Sequence, residues 1–385
     1  MARLFEPITL RSITIPNRTM ISPMCMYSAK DGFANDFHFV HLGKFALGGW
    51  GLVMVEATAV EPRGRITHGD LGLWSDEQIA PLARIASFLK EHGAVPAIQL
   101  AHAGRKGSVQ RPWESDGPLT EAQFATGETP WDVVAASALP FDQGWLEPAE
   151  LSISELAQMK DAFVASVRRA LDAGFEVIEL HAAHGYLLNS FLSPLSNHRT
   201  DQYGGSREAR FCFPLEVAEA MRSAWPDHLP MFVRLSAADY VEGGVTIDDT
   251  VEFAKRLRQL GVDVVDLSSG GISPKGIPPR AYGFQVPFAE SVRKNAQVST
   301  AAVGLITRPE QAEQILSSGQ SDFIAIAREA LADPNWPLHA RITLAQKGSD
   351  RFEGWPTPYQ VWLSKRARVL RELDTPVPDG EIAGV

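Results

Sequence analysis

Two histidines and a tyrosine lie close together in the segment His181-Ala-Ala-His184-Gly-Tyr186. Neutral imidazoles can donate hydrogen bonds to a substrate oxygen, and a tyrosine hydroxyl can act as a general acid. Two histidines at this spacing could instead share a metal ion. However, the chain has no HExxH motif, and no obvious carboxylate partner follows in the same loop. The segment therefore favours residues that bind and protonate a substrate, and we expect no metal.

A second set of residues is typical of a phosphate site. Ala302-Val303-Gly304 ends one apolar run, and Ala327-Arg328 ends the next and opens a helix. In α/β barrels, the loops after the seventh and eighth strands often bind phosphate through backbone N–H groups. A guanidinium such as that of Arg328 suits bidentate phosphate binding, although a surface ion pair is the alternative. We expect a phosphorylated ligand here.

Eight short runs rich in β-branched residues must position these groups. They are apolar almost throughout, as burial on both faces of a parallel sheet requires. Amphipathic stretches lie between them, and glycines suited to helix ends follow several of these stretches. The alternation predicts the α/β class and a single (β/α)8 TIM barrel. The strand runs are 19–22, 52–57, 95–100, 176–181, 231–236, 263–268, 298–304 and 322–328, and the helical stretches include 76–91, 154–173, 208–224, 247–260 and 308–318.

No linker or composition shift divides the chain, so we expect one barrel over residues 1–347. Its long connections follow the third, fourth and sixth runs, at the C-terminal face where barrels build active sites. The remaining residues, 348–385, are predicted to form a C-terminal tail that docks on another surface. This tail carries Trp355, Tyr359 and Trp362.

The residues at the ends of the runs should meet at one mouth of the barrel. A barrel built only for stability has no reason to place a glutamine, a histidine and two arginines at this rim, so together they predict a site. Cys25 suggests a nucleophile, but isolated buried cysteines more often act as small hydrophobic residues. The rim residues are Pro23, Met24, Cys25, Ala57, Thr58, Gln99, His181, Arg234, Ser268, Gly304 and Arg328.

Composition and charge exclude several classes of partner. The 385 residues include 36 Lys and Arg against 46 Asp and Glu, a net charge of −10, which argues against nucleic acid. The sequence shows neither a signal-peptide pattern nor an apolar stretch of about 18 residues, so we expect no membrane association. The 2 cysteines rule out a disulfide framework and an iron–sulfur cluster. We expect a cytoplasmic protein that acts on a small molecule.

Several motifs together resemble the old yellow enzyme family of flavin-dependent ene-reductases. They occur in the family's order over about residues 3–340. The chain is most similar to the bacterial xenobiotic reductase branch, in which a flavin-tuning cysteine, here Cys25, replaces a threonine. The motifs are Ser22-Pro-Met-Cys25-Met-Tyr27, Glu56-Ala57-Thr58, Gln99-Leu-Ala-His102-Ala-Gly-Arg105-Lys106, the His181 to Tyr186 segment, and Ser196-Asn-His-Arg199-Thr-Asp201-Gln-Tyr203-Gly-Gly-Ser206.

The resemblance implies that the barrel binds FMN and that NADPH or NADH is the electron donor. Arg234 would sit beside the flavin ring, where a fixed positive charge favours the reduced, anionic form. Gln99 would bond the pyrimidine edge of the ring. By position, the resemblance assigns Ser22, Pro23, Met24, Cys25 and Ala57 to the ring system, and Gly304, Ala327 and Arg328 to the FMN phosphate.

The resemblance also implies a reaction, the reduction of the C=C bond of α,β-unsaturated carbonyl and nitro compounds. His181 and His184 would hold the substrate oxygen while Tyr186 supplies a proton to the α-carbon. Tyr27, Val303 and Trp362 would complete the substrate pocket. Because some relatives place tryptophan where Val303 stands, a wider pocket is implied.

In similar enzymes the tail reaches a neighbour's active site, which implies a homodimer or homotetramer. Tyr359 and Trp362 match an aromatic form of this tail better than an arginine form. Two other classes stay open. One is another flavin- or phosphate-dependent barrel enzyme, such as an amine or xenobiotic dehydrogenase, and the other is a non-catalytic flavin-binding protein.

Overall fold

Eight parallel strands close into a barrel in the computed structural model, which describes residues 2–345 and 352–374. Each strand pairs with the next one along the chain, and the eighth pairs with the first, so the sheet has no free edge. The predicted (β/α)8 barrel and its eight strands are confirmed. The strands are β1 (Thr19–Ile21), β2 (Leu52–Ala59), β3 (Val95–Ala101), β4 (Val177–Ala182), β5 (Met231–Ser236), β6 (Val264–Ser268), β7 (Ser299–Ala302) and β8 (Phe323–Ile326).

A helix follows each strand on the outside of the barrel. The five predicted helices are confirmed to within one turn at each end. Gly93, Gly174, Gly261 and Gly319 follow four of them with φ between 73° and 89°, the left-handed conformation that ends a helix. The barrel helices are α1 (Asp36–Leu47), α2 (Ile79–Glu91), α3 (Ile153–Asp172), α4 (Arg207–Ala224), α5 (Ile247–Gln259), α6 (Val286–Ala296), α7 (Pro309–Ser317) and α8 (Trp336–Thr343).

Helix α1 was not predicted, because its polarity pattern is inverted. His38 and His41 are buried, whereas Phe37 and Val40 are exposed. Burial lowers the pKa of each histidine to about 4, so both are neutral at pH 7. A search for apolar residues at helical spacing therefore gives no signal here.

Short elements complete the chain and occupy its ends and loops. None of the helices in the two described ranges is both long and apolar enough to cross a membrane. The remaining elements are the helices Glu121–Ala125, Leu187–Leu192, Arg328–Ala332 and Thr357–Asp374, the 3-10 turns Arg3–Phe5, Pro62–Gly64, Asp76–Gln78 and Gly104–Lys106, the hairpin Ile8–Leu10 with Ile13–Ile15, and the parallel pair Val134–Ala135 and Ala149–Glu150.

The interior of the barrel changes from apolar to polar along the four neighbouring strands β3 to β6. Residues two apart point to the same side of a strand, so each inward-facing set can be read from the sequence. Near the floor the interior is an apolar cluster that packs against the N-terminal hairpin. Two residues further along each of these strands, towards its carboxyl end, buried polar side chains take the place of the apolar cluster. The steps are Ala97 to Gln99, Val177 to Glu179, Phe232 to Arg234 and Val264 to Asp266.

Two buried cations tie the long loops together above this polar layer. The Arg105 guanidinium donates to the carbonyl oxygens of Leu139 at 3.3 Å and Ile272 at 2.7 Å. The Lys106 ammonium donates to the carbonyl oxygens of His184 at 2.9 Å and Gly271 at 3.1 Å. These bonds join the loops that follow β3, β4 and β6, so the walls of the mouth are fixed relative to one another.

The C-terminal tail contains a helix, Thr357–Asp374, that the sequence analysis did not predict. The segment before it packs on the barrel, where the Trp355 and His339 rings lie 5.6 Å apart. Most apolar side chains of the helix face solvent, and Trp362 is 67% exposed. The predicted boundary between barrel and tail, 347/348, falls outside the described residues.

Candidate active site

A cavity of about 200 Å³ opens at the carboxyl ends of the barrel strands. Side chains from β1 through β5 and the loops that follow them converge on it. Every residue that lines it was a candidate from the sequence, so the structure brings the predicted set together. The lining residues are Pro23, Cys25, Tyr27, Ala57, Gln99, His181, His184, Tyr186 and Arg234.

The two histidines of this cavity are neutral hydrogen-bonding groups. The His181 Nδ1 accepts the Ala183 N–H at 3.2 Å, so the ring hydrogen is on Nε2. The His181 and His184 rings are nearly perpendicular, with centroids 5.3 Å apart. Burial lowers the pKa of both imidazoles well below the usual range, and the positive charges of Arg234 and Lys106 lower it further. Neither ring carries a charge at pH 7.

The backbone holds His184 in a conformation that few non-glycine residues adopt. Its φ is 58°, in the left-handed region, which costs of order 1–3 kcal/mol and occurs mainly at functional sites. Its N–H donates to the Ser236 Oγ at 2.8 Å, and its carbonyl oxygen accepts from the Lys106 ammonium. These two hydrogen bonds from the surrounding residues fix the backbone of His184 and so the position of its ring.

Tyr186 stands beside the histidines as a neutral phenol. Its ring meets the His181 ring edge to face, with centroids 5.0 Å apart. Burial raises the pKa of its hydroxyl well above the usual range, and the Cys25 and Asp70 side chains add to that effect. The Lys106 ammonium lies 5.1 Å from the ring centroid. Tyr186 keeps its proton at neutral pH and can donate it.

Cys25 lies across the cavity from the histidine loop and is not a thiolate. Burial raises the pKa of its thiol well above the usual range, and the charges of Asp70 and Glu56 raise it further. A protonated thiol is a poor nucleophile. Tyr27, two residues on, has a φ of 49°, so the backbone is turned sharply where these side chains enter the cavity.

Arg234 lines the cavity, and the strands on either side of it carry two buried acids, Glu179 and Asp266, that were not predicted from the sequence. Its guanidinium donates to the Ser22 Oγ at 3.0 Å and lies 3.1 Å from the Asp266 carboxylate. Below it, Glu179 accepts from the Gln99 amide at 2.8 Å. Burial, followed by the charge of Asp266, raises the pKa of Glu179 to about 8, so this acid is protonated at neutral pH.

The signal for these acids was present but was not used. Glu179 and Asp266 are single acidic residues inside otherwise apolar strands, and both are 0% exposed.

Among residues 2–345 and 352–374, no group of three or more histidine, cysteine or acidic side chains is placed to hold a metal ion.

A second cavity, of about 190 Å³, lies beside the first, after β7 and β8. Gly304 has a φ of 116°, and a Cβ there would lie 3.0 Å from the Gln285 amide and the Phe284 ring, so the chain needs glycine. The exposed Arg328 lines this cavity and makes no ion pair within the part of the chain that the structure describes. Gly304, Ala327 and Arg328 thus surround one space, as expected.

Two predicted substrate residues lie elsewhere in this chain. Val303 lines the second cavity and is absent from the lining of the first, and its carbonyl oxygen accepts from the Gln285 amide at 3.2 Å. Trp362 is on the tail helix, where the Lys365 ammonium lies 4.5 Å from its ring. Met24 is half-buried beside the first cavity.

The two cavities fit the parts of a flavin nucleotide. β8 pairs with β1, and the Ser22 N–H donates to the Ile326 carbonyl oxygen at 2.9 Å, so the cavities adjoin through these strands. The Arg234 Nε is buried and has no hydrogen-bond partner in the described chain. Because buried donors are normally paired, this N–H is suited to bind an acceptor on a ligand. An exposed guanidinium beside a glycine turn suits a phosphate.

Comparisons with known proteins agree with this geometry. The profile of the NADH:flavin oxidoreductase / NADH oxidase family matches residues 3–347. The NADPH dehydrogenase of Geobacillus sp. (strain WCH70) is 47% identical over 358 residues, covering 91% of this chain and 98% of that protein. The structure of morphinone reductase matches with a TM-score of 0.73 at 25% identity, covering 91% of this chain and 94% of that one.

A further match is limited to the fold. The old yellow enzyme homologue from Zymomonas mobilis superimposes with a TM-score of 0.72 at 24% identity, covering 93% of this chain and 98% of that one. The family profile and the similar dehydrogenase confirm the resemblance to the old yellow enzyme family. The chain belongs to the NADH:flavin oxidoreductase / NADH oxidase family, relatives of the old yellow enzymes, and its cofactor is FMN.

Proposed function

We propose that this flavin oxidoreductase reduces the C=C bond of α,β-unsaturated carbonyl and nitro compounds. The observation that carries the proposal is one cavity lined by two neutral imidazoles and a protonated phenol. Hydrogen-bond donors aimed at an oxygen stabilise the negative charge that develops there during conjugate addition. NADPH or NADH is the donor, in keeping with the name of the similar Geobacillus dehydrogenase.

Bound FMN would supply the hydride-transfer chemistry, with NADPH or NADH as the source of electrons. His181 and His184 hold the substrate oxygen and stabilise the enolate charge. Tyr186 gives its proton to the α-carbon, so hydride and proton together saturate the double bond. Gln99, Arg234 and Ser22 would hold the polar edge of the ring, with Pro23, Met24, Cys25 and Ala57 against its faces. Arg328 would hold the phosphate.

Arg328→Ala is expected to weaken FMN binding by about tenfold, because it removes one charge-assisted bond to the phosphate. Fluorescence titration of the apoprotein with FMN measures the dissociation constant. Arg308→Ala is the matched control, since Arg308 lies over the Tyr282 ring and should leave the affinity unchanged. Equal affinity in parent and Arg328→Ala would remove Arg328 from the phosphate site.

Cys25→Ser is expected to retain turnover while shifting the reduction potential of the flavin. The pKa of this thiol is raised, and hydride transfer needs no thiolate, so we infer that Cys25 tunes the flavin. Potentiometric titration with a reference dye measures the shift. Cys212→Ser, on α4, should change neither quantity. A covalent substrate adduct on Cys25, seen by mass spectrometry during turnover, would contradict this role.

Tyr186→Phe is expected to slow flavin reoxidation by 2-cyclohexenone by roughly 10² to 10⁴-fold, the usual contribution of general acid catalysis. Reduction by NADPH should stay nearly unchanged. Because the pKa of Tyr186 is raised well above its usual value, while burial lowers the pKa of the neighbouring Lys106 to about 8, the parent rate should be level from pH 6 to 7. Stopped-flow absorbance separates the two half-reactions, with Tyr203→Phe as a distant control. Reoxidation as fast as in the parent would show that the proton comes from another group.

We further propose that the tail helix docks on a second copy of this chain in a homodimer or homotetramer, with Trp362 near the neighbour's active site. Its exposed apolar side chains support this proposal, because a single chain leaves them in water. They are Tyr359, Val361, Trp362, Val369, Leu370 and Leu373.

A chain truncated after Gly348 is therefore expected to dissociate at concentrations where the full chain is associated, and to show a higher KM for cyclohexenone. Sedimentation velocity and steady-state kinetics measure the two effects. The double substitution Tyr359→Ser and Trp362→Ser should reproduce them at full chain length. If both variants sediment as the parent does, the aromatic residues only pack locally.

A further inference from the structure

Ser268 contacts one of the two ring nitrogens of His184. It is the last residue of β6, is 7% exposed, and places its Oγ 2.7 Å from the His184 Nε2. The His184 ring lines the first cavity. Its other nitrogen, Nδ1, has no hydrogen-bond partner elsewhere in the described chain.

The position of a single hydrogen decides what this ring can do. A neutral imidazole carries one N–H and one acceptor nitrogen, and the partner of one nitrogen fixes the role of the other. If the hydrogen is on Nε2, Nδ1 can only accept and would repel a substrate oxygen. If the Ser268 hydroxyl donates to Nε2, the hydrogen is on Nδ1, which can then donate into the cavity.

The distances favour the second arrangement. A separation of 2.7 Å is typical of a hydroxyl donor, whereas N–H donors usually lie about 2.9–3.0 Å from oxygen. The competing acceptor for the Ser268 hydroxyl, the Gln285 Oε1, is 3.4 Å away. That oxygen already accepts from the Ser269 Oγ at 2.6 Å. The Ser268 hydroxyl therefore donates its hydrogen to the His184 Nε2 and not to Gln285.

We propose that Ser268 is a positioning residue that sets the tautomer of His184, so that His184 donates through Nδ1 while His181 donates through Nε2. This proposal rests on the proposed function, in which both rings hold one substrate oxygen. Two converging donors stabilise developing charge better than one donor opposed by an acceptor lone pair.

Because His184 is neutral, its tautomer and not its protonation state decides whether it can donate a hydrogen bond through Nδ1. Arg234 and Lys106 are positive, His181 is neutral, and the Ser268 and Ser236 hydroxyls are uncharged. Burial and these two cations keep the imidazole neutral through the working pH range. The donor therefore depends on the hydroxyl hydrogen and not on proton uptake.

Solid-state NMR of the FMN-loaded enzyme with nitrogen-15-labelled histidine tests the tautomer without turnover. His184→Asn removes one pair of ring signals and so assigns them. We expect a protonated Nδ1 and a hydrogen-bonded, unprotonated Nε2 at His184, and the reverse pattern at His181. A protonated Nε2 at His184 would overturn the proposal.

Substitution at Ser268 tests the consequence for binding, with 4-hydroxybenzaldehyde as a probe whose phenol oxygen binds both donors. Ser268→Ala is expected to raise its dissociation constant about tenfold and to shift His184 toward the Nε2–H tautomer. Ser268→Thr keeps the hydroxyl and should restore both readouts. Ser166→Ala, which removes a buried hydroxyl on α3 that donates to the Leu73 carbonyl oxygen, should resemble the parent.

The outcomes separate this proposal from the function on which it rests. If Ser268→Ala binds FMN normally and keeps both the Nδ1–H signal and the parent affinity for the phenol, Ser268 does not set the tautomer. If the parent shows the expected tautomer but fails to reduce cyclohexenone and other activated alkenes, the reductase function is wrong while the assignment of Ser268 stands.

Discussion

One buried guanidinium, that of Arg234, organises the mouth of this barrel. Removing a charge from water costs several kcal/mol unless partners replace the solvent. The Asp266 carboxylate at 3.1 Å and the Ser22 hydroxyl at 3.0 Å do so in part, and the unpartnered Nε leaves room for one more acceptor. Burial, helped by the same positive charge, keeps both histidines neutral.

The geometry of the strands sets how far inside the barrel the Arg234 guanidinium lies. Side chains two apart point to one side, so the apolar floor gives way to Gln99, Glu179, Arg234 and Asp266 within one step along four neighbouring strands. The apolar floor anchors the barrel, and the polar layer above it contributes Gln99 and Arg234 to the lining of the first cavity. Burial raises the pKa of both Glu179 and Asp266, and the positive charge of Arg234, on the strand between them, opposes that rise.

The loop that carries His184 and Tyr186 is joined to two neighbouring loops by hydrogen bonds from Arg105 and Lys106. Arg105 and Lys106 bind carbonyl oxygens of three separate loops, and Lys106 also fixes the backbone of His184 in its left-handed conformation. Each cation replaces lost hydration with two or more carbonyl oxygens. Preorganised donors need not rearrange as charge develops, which is the condition for effective electrostatic stabilisation.

The sequence by itself determined the barrel, its eight strands, the residues that line the first cavity, and Gly304, Ala327 and Arg328 at the second, because strand burial and motif spacing are local patterns. It could not find α1, whose buried histidines invert the expected pattern, nor the tail helix. Only the tertiary structure decided which atoms meet: Arg234 bonds Ser22, 212 residues away, and His184 bonds Ser268, 84 residues away. Protonation and tautomer depend on such contacts and on burial, and both are set by chain segments that are remote in sequence.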